Sequence, residues 1–295
     1  MTGCHGSWTT ADVFELGNQA ECATLVWMIH PTAIVHPKAK LDSTTRVGPY
    51  AVIDEGVELG PDCVIGPHVY LTGLTTIGSH NHFHAGCVIG DAPQDLKYKG
   101  DPTRLRVGDY NVFREHVTVH RSNKTGEETI IGSHNFLMAH SHVGHNTRLG
   151  DHVIIANGAL LAGHVVVQDR AFISGNCLVH QFVRVGTLAL MQGGSGIGKD
   201  LPPYTVARGV NGICGLNTIG LRRAGLTAEE RLELKQLYRA LFRNNQNLRP
   251  ALAAARNQFT GTPAKVLMDF LAASARGVCA DVGKDPASES GVETD

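Results

Sequence analysis

The sequence predicts a parallel β-helix closed at its C-terminal end by an α-helical domain. Two observations carry this: an apolar residue recurs every six positions from Val35 to Met191, and helical patterning takes over beyond Pro202-Pro203. Of the 27 positions spaced six apart in that span, 24 hold Val, Ile, Leu, Phe or Met; the exceptions are Asp95, Asp101 and Thr125. With 42% of the chain hydrophobic, chance would fill about 11 of these positions. A period of six is too short for a solenoid containing helices and matches the hexapeptide β-helix.

Each six-residue unit supplies one inward apolar residue and one turn, so it makes one side of a coil. Ten of the filled positions are followed directly by glycine, among them Gly48, Gly60, Gly66, Gly78, Gly150 and Gly186. A residue without Cβ tolerates sharp turns and positive φ. Three sides close a triangular coil of roughly 18 residues. The span then makes about nine coils, a prism roughly 40 Å long at the β-strand spacing.

The elements follow in order. Residues 1–27 contain Asp12, Glu15 and Glu21 but no Lys or Arg. That pattern fits neither a secretory nor a transit peptide. They read as a disordered or misassigned extension, with Met28 as the alternative start. Residues 28–215 form the hexapeptide-repeat body. Two insertions interrupt it, near 91–106 and 121–130, and loops that break a regular scaffold are where function tends to sit. Residues 216–279 form the helical domain. There Thr227 and Glu230 make a capping box ahead of Leu232, Leu234, Leu237, Leu241 and Phe242, and a second helix carries Val266, Leu267, Phe270 and Leu271. Residues 280–295 are polar and read as a disordered tail.

Lys and Arg total 26 against 27 Asp and Glu, which argues against a nucleic-acid partner. Any anionic substrate must be held by a few local cations. No run of 18 apolar residues occurs, so no stable membrane insertion is expected. The seven cysteines, at 4, 22, 63, 87, 177, 214 and 279, form no CxxC pair. They suit a reducing compartment and a cytoplasmic protein.

Sixteen histidines stand in the chain. Most read as surface or turn residues, including His30, His36, His68, His80, His82 and His84. One cluster differs: His140, His142 and His145 within Ala139-His140-Ser141-His142-Val143-Gly144-His145-Asn146. Residues one coil apart stack, so His145 lies under Gly163 and His164, and these lie under His180 and Gln181. A histidine can accept a proton near neutral pH, and a backbone N–H such as that of Gly163 can hold a developing oxyanion. A base beside an oxyanion donor suits acyl transfer.

At these residues the chain resembles the UDP-N-acetylglucosamine O-acyltransferases that begin lipid A synthesis. The resemblance covers about 28–275. It rests on Gln94-Asp95-Leu96-Lys97-Tyr98, Pro102-Thr103-Arg104, Val117-Thr118-Val119-His120-Arg121, Leu161-Ala162-Gly163-His164, Val179-His180-Gln181-Phe182, Pro202-Pro203-Tyr204 and Gly220-Leu221-Arg222-Arg223. It implies a left-handed winding, against the usual right-handed crossover. It implies transfer of a (R)-3-hydroxyacyl chain from acyl carrier protein to the glucosamine 3-OH of UDP-N-acetylglucosamine. No cofactor or metal is implied beyond the phosphopantetheine arm of the carrier.

By position, the resemblance makes His145 the general base and Gly163 the oxyanion donor. Gln94, Asp95, Lys97, His142, His164, His180 and Gln181 match residues around the sugar nucleotide and acyl chain. Asn217 and Arg223 match positions near the nucleotide or the donor arm. Gly193 falls where the family measures acyl length, and a glycine there implies a relatively long chain. The family is a homotrimer with sites between subunits, so an insertion loop from a neighbour is expected beside His145.

Two departures stand out. Asn146 follows the base where an aspartate is usual, which leaves two readings open: a backbone carbonyl orients His145, or the acceptor is an easier one such as a 3-amino sugar nucleotide. Ala224 stands where a second arginine often follows the first. The rivals are a γ-carbonic-anhydrase-like zinc lyase using His140, His142, His145 and His164, the later N-acyltransferase of the pathway, and a non-catalytic scaffold. The insertion at 94–98 and the helical domain weigh against the lyase. The short N-terminal segment weighs against the N-acyltransferase.

Overall fold

The computed structural model describes residues 28–244 and 247–283. The segments 1–27 and 284–295 lie outside the described residues, and with them the expected extension and most of the expected tail. The body winds through three sheets of nine, eight and eleven strands, parallel throughout except for one antiparallel pair at the end of the last. Most strands are only two residues long, because each side of the triangle is short. Register is strict: His142-Val143 pairs with Leu160-Leu161, and that pair with Leu178-Val179.

Each coil points two residues per side inward, and the apolar period exposes only one of them. The large inward residues include Ile53, Leu71, Phe83, Phe113, Leu137, Val143, Leu161 and Val179, all essentially buried. Two positions before each sits a small one. Ala51, Cys63, Val69, Cys87, Val117, Val153, Ala159, Val165, Ala171 and Cys177 are wholly buried. Alternation along a strand requires this second set. At one corner it is polar. Asn81 Oδ1 accepts from the Asn111 backbone N–H, Asn111 Oδ1 from that of Asn135, and Asn135 Oδ1 from that of Val153, at 3.0, 2.9 and 2.7 Å. Buried amides are tolerated there because the ladder uses every side-chain oxygen, although Asn135 Nδ2 finds no partner among the described residues.

Positive φ does not fall on the glycines that follow the apolar positions, apart from Gly90. It falls two residues later, on Tyr50, Asp62, His68, His80, His140, Asn146 and their equivalents, at φ of 53–64°. The glycines have another reason. A Cβ on Gly144 would sit 2.7 Å from the Ala162 carbonyl carbon of the next coil. The turn position accounts for much of the histidine excess, since seven of the sixteen hold it: His68, His80, His116, His134, His140, His152 and His164. Their rings stack up the corners. His80 lies on Tyr110 at 4.5 Å, Tyr110 on His134 at 5.0 Å and His134 on His152 at 4.9 Å.

The two insertions are shorter than the sequence suggests. Arg104–Val107 and Glu128–Ile131 are strands, paired with Leu74–Ile77 and with each other. The loops are therefore 92–103 and 121–127, and they contain all three exceptions to the apolar period.

Thr205–Arg208 and Gly212–Leu216 form an antiparallel hairpin on the last coil. Four helices follow among the described residues: α1 Thr218–Arg223, α2 Ala228–Phe242, α3 Leu248–Ala255 and α4 Thr262–Ala272. The capping box at Thr227 and Glu230 is formed, and Leu234, Leu237, Tyr238 and Leu241 are the buried side of α2. Leu232 is exposed instead. The chain then returns. Ala280-Asp281 pairs with Gly212-Ile213, so the start of the segment expected to be a disordered tail is a strand. The buried Asp200 carboxylate accepts from Arg184 at 2.7 Å and from Ser274 at 2.8 Å. That joins the last coil to the helices.

Burial, and secondarily nearby charge, pushes the His82 and His142 imidazoles down from 6.5 to about 4. The folded chain thus resists protonating rings that the unfolded chain protonates at the ordinary value. The unfolded state binds more protons between pH 6.5 and 4, so these rings cost stability progressively as pH falls through that window. Melting temperature should drop across it, and His82→Gln should shrink the drop. An unchanged drop in the variant would contradict this account.

Candidate active site

A pocket of about 670 Å³ opens on the nine-stranded face, where it meets the two loops. Its wall is a column of equivalent residues: His142 and His145, then Leu160 to Gly163, then Leu178 to Gln181, then Gly196 to Gly198. Gln94 from the first loop and His120 at the root of the second complete one side.

His145 is half-buried and lies against Gly163. A Cβ on Gly163 would come within 2.6 Å of His145 Nε2, so only glycine lets the ring lie there. Among the described residues, neither His145 Nε2 nor the Gly163 N–H has a hydrogen-bond partner. A bare ring nitrogen and an unused N–H thus face the same pocket. His164 meets His145 edge-on at 5.2 Å and stacks on Phe182 at 4.6 Å.

The other nitrogen of His145 is committed. Nδ1 lies 2.9 Å from Asn146 Oδ1. The orientation of that carboxamide is fixed by three further contacts. Its oxygen accepts from the Asn123 N–H at 3.0 Å, and its nitrogen donates to Ser122 Oγ at 2.9 Å and to Glu127 Oε2 at 2.7 Å. An amide oxygen can only accept. His145 Nδ1 must therefore carry the proton, leaving Nε2 as the acceptor. A side-chain carbonyl, not a backbone one, orients His145. Asn146 can do this because its turn conformation, φ 57°, is one asparagine tolerates, and because the loop 121–127 covers it. It is 7% exposed where most equivalent corners are open.

Three further residues complete the electrostatics. Asp95 is held by the Lys97 N–H at 2.9 Å and by Asn123 Nδ2 at 2.6 Å. Those hydrogen bonds, Lys97 first, hold its carboxyl below the usual range, with His145 contributing. His142 Nδ1 lies 2.7 Å from Thr118 Oγ1, and its ring is neutral because it is buried. His120 is buried, its ring is pushed toward the neutral form by burial, and its Nδ1 has no partner among the described residues.

The structure sorts the expected residues. It brings Gln94, His142, His145, Gly163, His180 and Gln181 to the pocket wall, with Asp95 and His164 beside His145. It separates His140 from the cluster: that ring is exposed at another corner, stacked on His116 at 5.1 Å. Lys97, Gly193, Asn217 and Arg223 do not line the pocket of the single chain. Asn217 caps α1, accepting from the Gly220 N–H at 3.0 Å and donating to the Leu188 carbonyl at 2.9 Å. The insertion loops that reach His145 here belong to its own chain. Sequence reasoning did not single out His120, Ser122, Asn123 or Glu127. The signal was the second insertion itself, a polar loop one coil below His145. Among the described residues, no three His, Cys, Asp or Glu side chains converge as a metal site would require.

Comparison with known proteins agrees with this fold. Residues 200–279 match the family model described as UDP N-acetylglucosamine O-acyltransferase, domain 2. Residues 38–73 and 128–163 match that of the bacterial transferase hexapeptide. The acyl-[acyl-carrier-protein]–UDP-N-acetylglucosamine O-acyltransferase of Neisseria gonorrhoeae is 47% identical over 254 residues, 85% of this chain and 98% of that protein. That of Halorhodospira halophila is 45% identical over 253 residues, with the same coverage. The chain belongs to this acyltransferase family. Among solved structures, LpxA of Acinetobacter baumannii superposes with a TM-score of 0.83 at 35% identity, covering 85% of this chain and 99% of that one. The Arabidopsis UDP-N-acetylglucosamine acyltransferase gives 0.75 at 33%, covering 85% and 99%. These likenesses support the left-handed winding.

The contact between the His145 ring and Gly163 can be tested by filling it. Gly163→Ala puts a methyl against the His145 ring. Since misplacing a catalytic group by about 1 Å can cost about 10²-fold in rate, kcat for acyl transfer should fall to that extent with the far-UV spectrum unchanged. Full activity in the variant would show that His145 does not work from this position.

Proposed function

We propose that this chain transfers a (R)-3-hydroxyacyl group from acyl carrier protein to the glucosamine 3-hydroxyl of UDP-N-acetylglucosamine, the first step of lipid A biosynthesis. The observation that carries the reading is the bare Nε2 of His145 beside the unused N–H of Gly163. In this mechanism Nε2 takes the proton of the 3-hydroxyl as its oxygen attacks the thioester carbonyl. The Gly163 N–H holds the oxyanion that forms. The intermediate collapses, the C–S bond breaks, and the proton on the imidazolium passes to the departing phosphopantetheine thiolate. No separate cofactor takes part.

The pocket's composition supports two subsites. Leu160, Leu178 and Val210 are exposed to 42%, 55% and 81%, and with Val179 and Ile197 they offer an apolar wall to the acyl chain. A Cβ on Gly193 would meet nothing closer than 3.6 Å, and the reading that this corner admits a relatively long chain rests on that space. Gln94, Asp95, Lys97, His142, His164, His180 and Gln181 are assigned to the sugar nucleotide and the start of the acyl chain. Around α1 and α2 a groove of about 850 Å³ is lined by Arg222, Arg231, Lys235, Arg239 and Arg243. These are the local cations that an almost neutral chain needs for an anionic partner, and we assign the carrier-protein side here, with Asn217 and Arg223 beside it. In this reading the enzyme works in the cytoplasm as a homotrimer. Among the described residues no helix is long and apolar enough to cross a membrane.

Purified protein should be offered UDP-N-acetylglucosamine, and separately its 3-amino analogue, with a ladder of 3-hydroxyacyl carrier proteins. The 3-hydroxyl sugar should be acylated, with chains longer than ten carbons preferred. His145→Ala should lower the rate by about 10²–10⁴-fold, the usual contribution of a general base. No turnover of either acceptor would refute the assignment.

A further inference from the structure

The base carries an amide where a charged partner would be expected, yet the charge is present one residue further on. Asn146 Nδ2 donates to Glu127 Oε2 at 2.7 Å, and Glu127 Oε1 accepts from Lys124 Nζ at 2.7 Å. The three side chains form a line: imidazole N–H to amide oxygen, amide N–H to carboxylate. We propose that Glu127 is a positioning residue of this enzyme, acting on His145 through the Asn146 carboxamide. This inference rests on the acyl-transfer reading above.

Two physical effects follow from the line. The first is orientation. A carboxylate can only accept, so Glu127 fixes which end of the Asn146 amide faces His145. Were the amide reversed, its N–H₂ would meet the Nδ1–H and the base would lose its tautomer. The second is charge. When His145 takes a proton, the amide between imidazolium and carboxylate is polarised in the direction that stabilises both ends, since hydrogen bonds in a chain strengthen one another. Glu127 is available for this because it is ionised: the hydrogen bond from Lys124 first, and the one from Asn146 among the rest, hold its carboxyl below the usual range.

Glu127 is only partly buried, and its place in the loop at 121–127 explains why no motif marks it. The other titratable groups around His145 are His142 on the strand just before it, His120 on the coil below, His164 on the coil above and Asp95 from the first loop. Of the two carboxylates, only Glu127 hydrogen-bonds to the amide that holds the ring.

Glu127→Gln keeps the size and the ability to accept, and removes the charge. A hydrogen bond to a charged group exceeds a neutral one by an amount that corresponds to about tenfold in rate. The variant should lose about tenfold in kcat with KM little changed. The acid limb of its pH–rate profile should move to lower pH, because the imidazolium loses a stabilising charge. Asn146→Asp alone should not help, since it sets two carboxylates within hydrogen-bond distance and they compete for a proton. The double substitution Glu127→Gln with Asn146→Asp should recover most of kcat and return the acid limb, because the charge then sits directly on His145. A merely structural Glu127 predicts neither the pH shift nor the rescue. If the wild type turns over but Glu127→Gln matches it in kcat and pH profile, or the double variant is no faster than Glu127→Gln, this inference falls and the acyl-transfer reading stands. If the wild type itself transfers no acyl group, the reading falls first.

Discussion

Everything in this molecule depends on the parallel ladder that sets each coil directly on the one before. Parallel strands of two residues are too short to hold a register alone, so the register is enforced by what they enclose. Large apolar residues stack on large ones, small on small, and a buried asparagine ladder feeds its side-chain oxygens to backbone N–H groups of the coil above. A slip by one residue would turn every inward side chain to solvent. The same enforcement makes the surface exact. A residue on one coil has a fixed neighbour on the next, and chemistry can be built from residues far apart in sequence without any of them being on a flexible element.

The pocket uses that property directly. His145 meets Gly163 because they occupy equivalent positions on successive coils, and the absent side chain at 163 is what lets the ring come this close. The insertions then add what the scaffold cannot supply. The second loop passes over one corner and converts it from an open turn into a covered one. Under that cover Asn146 finds four partners in its own chain beyond His145: Ser122, Asn123, Glu127 and Thr129. The scaffold places His145, and the loop decides which of its nitrogens is free.

How much of this the sequence discloses follows from what periodicity can express. The sheet faces, the coil number and the vertical line from His145 to Gly163 and Gln181 are consequences of a repeat length and could be counted. The second inward position could not, because it varies among Ala, Val, Cys, Thr, Ser, Asn and Leu and has no single chemical signature. The cluster of three histidines was misleading for the complementary reason. His140 is close to His145 in sequence but stands at a different corner, and its residue type reflects a turn conformation shared by seven histidines. The partner of His145 was illegible for a third reason. Asn146 and Glu127 are 19 residues apart, and the contact crosses an insertion that breaks the repeat on which the counting relied. Helix α3 escaped because its buried side is built of Ala251, Leu252 and Ala255, too small to register as an apolar stripe.

The central claim is that Asn146 holds the proton on Nδ1 and keeps Nε2 free to act as the base. Ring nitrogens distinguish the two tautomers by their chemical shifts and two-bond couplings. Long-range ¹H–¹⁵N spectra of the histidine-labelled protein, with His145 assigned by comparison with His145→Gln, read this directly at a pH where the ring is neutral. The account predicts the Nδ1–H tautomer. A neutral His145 carrying its proton on Nε2 would contradict it.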